Sequence, residues 1–120
     1  MSPTLFDQLG GTAGIDQIVE DAIAGHLANP VIKTRFENAK DIDRAKRMAK
    51  AFFAFGSGGT DTYAGKDMVS AHKGMNITEQ EYLAAIDDIL AALDKNSIGA
   101  GARKEVLAIL YSLKDLIIRV

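Results

Sequence analysis

Cysteine is missing from this 120-residue chain, and with it go disulfide frameworks, thiolate metal sites, iron-sulfur clusters and cysteine nucleophiles. The absence leaves the redox compartment undetermined. Tryptophan is missing too, and five Phe and three Tyr make up the whole aromatic content. A chain of this length forms one domain and must bury roughly two-thirds of its unfolded surface. It has few large side chains for the task, so an apolar cofactor could fill part of the core. Neither sign of charge dominates: 14 Lys and Arg stand against 16 Asp and Glu, a formal net charge of -2. The two signs are interspersed, leaving no basic field for a phosphate backbone, and no nucleic acid partner is expected. No apolar run approaches the roughly 18 residues of a membrane span, and "MSPTLFDQLGG" has no basic segment followed by an apolar one. The expectation is a soluble, cytoplasmic protein with no membrane partner.

Strict alternation of apolar and polar residues is also absent, whereas a period near 3.6 runs through almost every segment, so the predicted class is all-α. Ser2 and Pro3 read as a helix start that Gly10 and Gly11 cut short. From about 13 to 28 the residues Ile15, Ile18, Val19, Ala22, Ile23, His26 and Leu27 form a helical stripe. Asn29 and Pro30 end it and start a short helix carrying Val31, Ile32 and Phe36. A helix from about Asp41 to Phe55 bears Ile42, Ala45, Met48, Ala49, Phe52 and Phe53 on one side and Lys46, Arg47 and Lys50 on the other. The glycine-rich "GSGGTDTYAG" reads as a loop, followed by a short helical piece at 66–73 that Gly74 ends. Thr78 with Glu81 makes a capping box for a helix with Tyr82, Ala85, Ile86, Ile89, Leu90 and Leu93 inward. The last helix, from about Ala102, carries Val106, Leu107, Leu110, Leu113, Ile117 and Val120. No repeat or linker divides the chain, and 1–120 reads as a single domain.

Chemistry has few candidate carriers. Neither histidine has a ligand partner one turn away, which argues against a several-ligand zinc site. The acid pairs Asp41 with Asp43 and Asp87 with Asp88 read as solvated helix faces. Ser57 sits in "GSGG", but no Gly-Lys-Ser/Thr and no preceding strand make it a phosphate loop. His72 remains, on the short helix between flexible loops. It suits an ordinary histidine on a connector, and equally the lone imidazole that an axial haem ligand requires. Spacing does not choose between them.

The segments "LFDQLGG", "FFAFGSGGTDTYAG" and "MVSAHKGMNIT", in this order and spacing, resemble the group I truncated haemoglobins, globins folded as two helices over two. The resemblance spans nearly the whole chain. It implies one haem b, with its iron held by His72 and its plane packed by Phe36. Phe52, Phe53, Met68, Ile77, Tyr82 and Ile86 become candidate pocket walls. Tyr63 and Lys66, and less strongly Arg47, become candidate partners for the haem propionates. Many relatives place a tyrosine on the second helix and glutamines on the fourth as donors to bound oxygen. The matching positions here read Ile23, Ala45 and Ala49, with Met48 beside them, so the implied distal chamber is apolar. His26 reads as a buried histidine bonded to a backbone carbonyl, with service as a second axial ligand, or as a hydrogen-bond partner of a distal water, as the alternatives. The implied function is reversible binding of a diatomic gas, with carbon monoxide and nitric oxide suited better than oxygen. Two rival readings are a nitric-oxide dioxygenase or peroxidase, whose turnover would require an external reductase, and a haem-free interaction module. A monomer or weak homodimer is expected.

Overall fold

The first corner of the chain turns on glycine. Gly10 and Gly11 have φ of +94° and +65°, in the left-handed region that side chains avoid. A Cβ on Gly14 would lie 2.1 Å from the Leu9 carbonyl oxygen. This corner joins α1 (Leu5–Gln8) to α2 (Gly11–Ala28). Gly10 and Gly11 therefore do more than stop a helix, because α2 begins at Gly11 itself. The structure, a computed structural model, describes residues 4–37, 41–59 and 72–119. The expected Ser2-Pro3 start lies outside them; Thr4 caps α1 instead, in a reciprocal capping box with Asp7.

α2 buries Ile15, Ile18, Val19, Ala22, Ile23 and His26, the expected stripe. Leu27 is the exception, being 40% exposed, since the residue after His26 is rotated about 100° away from that face. Beyond α2 the Asn29 carbonyl accepts from the Ile32 and Lys33 amides, and the Asn29 side chain accepts from the Val31 amide at 3.0 Å. That turn starts α3 (Lys33–Glu37); it buries Ile32 and leaves Val31 exposed. α4 (Ile42–Gly56) is capped by Asp41, which accepts from the Arg44 amide at 2.9 Å. Ser57 closes α4 by donating its hydroxyl to the Phe53 carbonyl at 2.6 Å. It is a helix cap rather than part of a phosphate loop.

α5 (Glu79–Lys95) starts at the expected Thr78/Glu81 box. α6 (Ala100–Ser112) and α7 (Lys114–Ile117) divide what the periodicity reads as one helix. The break comes at Leu113, whose amide is shared between the Ile109 and Leu110 carbonyls at 3.2 Å each. Ile117 stays buried across the break, which is why the stripe continued. Among the described residues the only β feature is an isolated parallel bridge between Ile77 and Ile118, beside a 2.9 Å bond from the Arg119 amide to the Ile77 carbonyl.

The long helices form two pairs, α2 with α4 and α5 with α6, joined where α2 crosses α5. Leu9, Ile15, Ile18, Val19 and Leu93 are at most 1% exposed at the centre, and each such side chain contributes about 1.5–3 kcal/mol of burial. Across the α2/α4 face, Lys46 and Lys50 both reach Glu20 at 3.0 Å.

The α1–α2 corner gives a direct test. Gly14→Ala should destabilise the protein by about 2 kcal/mol or more, because backbone must move to admit the methyl group. Gly101→Ala, where the added atom meets nothing within 4 Å, should be neutral or stabilising by about 0.5 kcal/mol. Urea unfolding of the two variants against the parent measures both.

Candidate functional site

Where α2 ends, its last buried residue needs a polar partner. His26 is 6% exposed, and its Nδ1 lies 2.7 Å from Asp88 Oδ2 on α5. A carboxylate only accepts, so Nδ1 carries the proton and donates it. Asn29 Nδ2 also donates to both Asp88 oxygens, at 3.2 Å each. Burial pulls the His26 pKa below its ordinary value, against the opposing pull of Asp88. The partner is thus a carboxylate and not the expected backbone carbonyl. Asp88 is also not the solvated acid that its place beside Asp87 suggests, since its side chain is only 14% exposed. The signal for it was in α2: an imidazole on an apolar stripe must be answered from the facing helix. The His26 ring stacks on Phe36 of α3, with centroids 4.7 Å apart and planes at 22°.

A second tie joins α3 to the start of α5. The Arg35 guanidinium grips the Glu81 carboxylate through Nε to Oε2 and through Nη2 to Oε1 at 3.1 Å, the two-pronged geometry that suits arginine. Glu81 is already oriented by the capping box, accepting from the Thr78 amide at 3.1 Å. The pair lines an open cleft of about 410 Å³ together with Thr34 and Met75. Arg35 holds the Glu81 carboxyl down at about 2. Sequence reading assigned Glu81 only its cap and left Arg35 unremarked.

His72 is half-buried and helical, and its carbonyl accepts from the Met75 amide at 3.0 Å. The chain then turns through positive φ at Gly74 (87°) and Asn76 (49°), as the glycine there predicts, and buries Ile77. Ile23, Ile77, Tyr82 and Ile86 share one buried cluster, against which Phe36, Ala49 and Phe53 pack. Ala45, Met48 and Phe52 are half-buried on α4. Phe52 and Phe53 meet edge to face at 6.4 Å and line a narrow apolar crevice with Leu5, Leu9, Val106 and Leu110. The Tyr82 hydroxyl donates to the Leu110 carbonyl, and burial pushes its pKa up to about 12. Arg47 is exposed. The candidates Tyr63, Lys66 and Met68 lie outside the described residues.

An all-α chain with two crossed helix pairs, and with a histidine between α4 and α5, falls in a recognisable class. A family profile described as bacterial-like globin matches residues 4–118, and the chain belongs to that family. It is similar to the group 1 truncated haemoglobin GlbN of Synechocystis, 34% identical over 112 residues and covering 88% of each chain. The solved Fe(III) form of Tetrahymena pyriformis truncated haemoglobin superposes with a TM-score of 0.93 at 25% identity, over 98% of this chain and 100% of that one. A Synechococcus 2/2 haemoglobin, solved in the cyanomet state with covalently attached haem, gives a TM-score of 0.85 at 27% identity, over 93% and 94%. The fold is the two-over-two truncated globin, and haem is the cofactor of this family. The described residues suit it, because a flat apolar group needs aliphatic and aromatic surface such as Ile23, Ala49, Ile77, Ile86 and Phe36 present, with an imidazole nearby in sequence.

The Arg35–Glu81 tie predicts an acid dependence. Glu81 has a folded pKa of about 2 against an ordinary 4.5, so its contribution is complete above 4.5 and is lost as pH falls through 2. Arg35→Met should lower stability at pH 7 by up to about 1 kcal/mol. The gap between parent and variant should close between pH 4.5 and 2, as followed by urea midpoints across that range.

Proposed function

We propose that this protein reversibly binds a diatomic gas at haem iron, with His72 as the proximal ligand and an apolar distal chamber formed by Ile23, Ala45, Met48 and Ala49. When bound, haem supplies an iron with one open coordination position. The chain supplies everything else. His72 would hold the iron through a ring nitrogen, on a segment stiffened by the turn at Gly74 and by the bond between Ile77 and Arg119. Phe36 would pack on the haem plane, while Phe52, Phe53, Met68, Ile77, Tyr82 and Ile86 would form further walls; Tyr63 and Lys66 would meet the propionates. The observation that carries the reading is the apolar cluster uniting Ile23 of α2 with Ile77 and Ile86 on the His72 side of a bacterial-like globin. Among the described residues no helix is long and apolar enough to cross a membrane.

The distal side chains define what kind of gas is held well. Ile23, Ala45 and Ala49 have no hydrogen-bond donor, so they give nothing to a ligand that draws negative charge onto its outer atom. Oxygen is such a ligand, and carbon monoxide is much less so. Met48 and the two alanines would offer a ligand no hydrogen bond in place of water's, which favours the less polar gases.

Spectra of the oxidised, reduced and carbon monoxide-treated protein should show a strong Soret band that responds to carbon monoxide. His72→Gly should lose stable haem while the chain still folds as a helical protein, checked by haem content and far-ultraviolet circular dichroism. Wild-type haem content with an unchanged ferrous spectrum in that variant would refute the ligand assignment. A phenol aimed at the ligand should slow oxygen release roughly 10- to 150-fold, so Ile23→Tyr is expected to do so in stopped flow with little change for carbon monoxide. A slow parent rate that the substitution leaves alone would remove the apolar-chamber reading.

A further inference from the structure

The His26–Asp88–Asn29 cluster sets a buried imidazole against two half-buried polar side chains, and the gas-binding reading makes no use of it. Its parts come from three places in the chain: the last turn of α2, the middle of α5 and the turn before α3. Asp88 accepts Nδ1–H of His26 at 2.7 Å and both bonds from Asn29. Asn29 in turn accepts the Val31 amide and so shapes the approach to α3. Each bond removes freedom from the next element. The chain of contacts ends on Phe36, whose ring face the His26 imidazole covers at 4.7 Å with only 22° between the planes. Burial alone requires an acceptor for the His26 N–H, but it does not require the near-parallel stack on Phe36.

We infer that His26, oriented by Asp88, is the positioning residue for Phe36: it fixes the phenyl ring from one side and holds it as a preorganised wall for the haem plane. The bond at Nδ1 sets the rotation of the imidazole, and the imidazole sets the tilt of the phenyl ring. Stacking pairs prefer such offset, near-parallel geometry and contribute beyond their buried area. His26 thereby acts on the cofactor through Phe36. This inference rests on the haem reading above.

The test is a cycle of haem-loss rates, with holoprotein transferring haem to an excess apo-globin acceptor. The proteins are the parent, His26→Gln, Phe36→Leu and the double variant. His26→Gln keeps an amide N–H for Asp88 but removes the ring. Each single change should speed haem loss roughly 2- to 12-fold, and the double variant should lose haem no faster than Phe36→Leu alone. The Soret circular dichroism of His26→Gln should also change, because it depends on the orientation of aromatic rings near the haem. Effects that multiply in the double variant, or a His26→Gln rate equal to the parent's, would overturn the inference and leave His26 a purely structural residue. If His26→Gln fails to fold, Asp88→Asn in both the parent and the Phe36→Leu backgrounds is read by the same criterion. A parent protein that takes up no haem at all would instead refute the gas-binding reading on which the inference rests.

Discussion

The meeting of α2 with α5 turns on the bonding of the Asp88 carboxylate. A Cβ on Gly25 would make ordinary contact with the Asp88 side chain, 3.4 Å from its Cβ and 3.6 Å from its Cγ, so that side chain packs beside α2. From there its carboxylate reaches both His26 and Asn29. A carboxylate shielded to this degree costs several kcal/mol in lost hydration unless it is fully bonded, and here three donor contacts from two residues answer it. The crossing of the two helix pairs, the exit from α2 and the seat of α3 therefore share a single constraint. On its other face α2 is held by Glu20, to which α4 sends two lysines. α2 is thus the element against which both sides of the candidate pocket are referenced.

Helices with a wide apolar stripe and a side-chain cap could be read from the residues alone. α2 and α4 run within about two residues of the expected bounds, the margin by which helix ends ordinarily scatter, and the Thr78/Glu81 box starts α5 as its spacing implies. What failed were boundaries that depend on tertiary fit. The break at Leu113 is invisible to periodicity because Ile117 continues the buried face beyond it. Likewise Gly10 and Gly11 signal a turn, but only the close contact of Gly14 with the Leu9 carbonyl decides that α2 begins inside that turn.

The candidate site was legible in its apolar half and not in its polar half. Ile23, Ile77, Tyr82 and Ile86 converge because stripes on facing helices must meet, and a stripe is a local pattern. Pairings between distant segments leave no such trace. Asp88 looks like one of two adjacent surface acids until α2 is packed against it, and the partnership of Arg35 with Glu81 spans 46 residues. His26 itself was noticed as polar on an apolar stripe, which amounts to a demand for a partner without a hint of which one. Family resemblance names His72 and Phe36 as candidates, yet it could not supply the His26–Asp88 bond.

The pairing of Ile77 with Ile118, reinforced by the Arg119 amide, has a consequence for the order of assembly. Ile118 and Arg119 leave the ribosome after all seven described helices, whereas α2 and α4 are complete long before. Until then the Ile77 carbonyl lacks the Arg119 amide that bonds it. The segment that follows His72 gains this bond only after the residues beyond α7 have been translated and laid back along it.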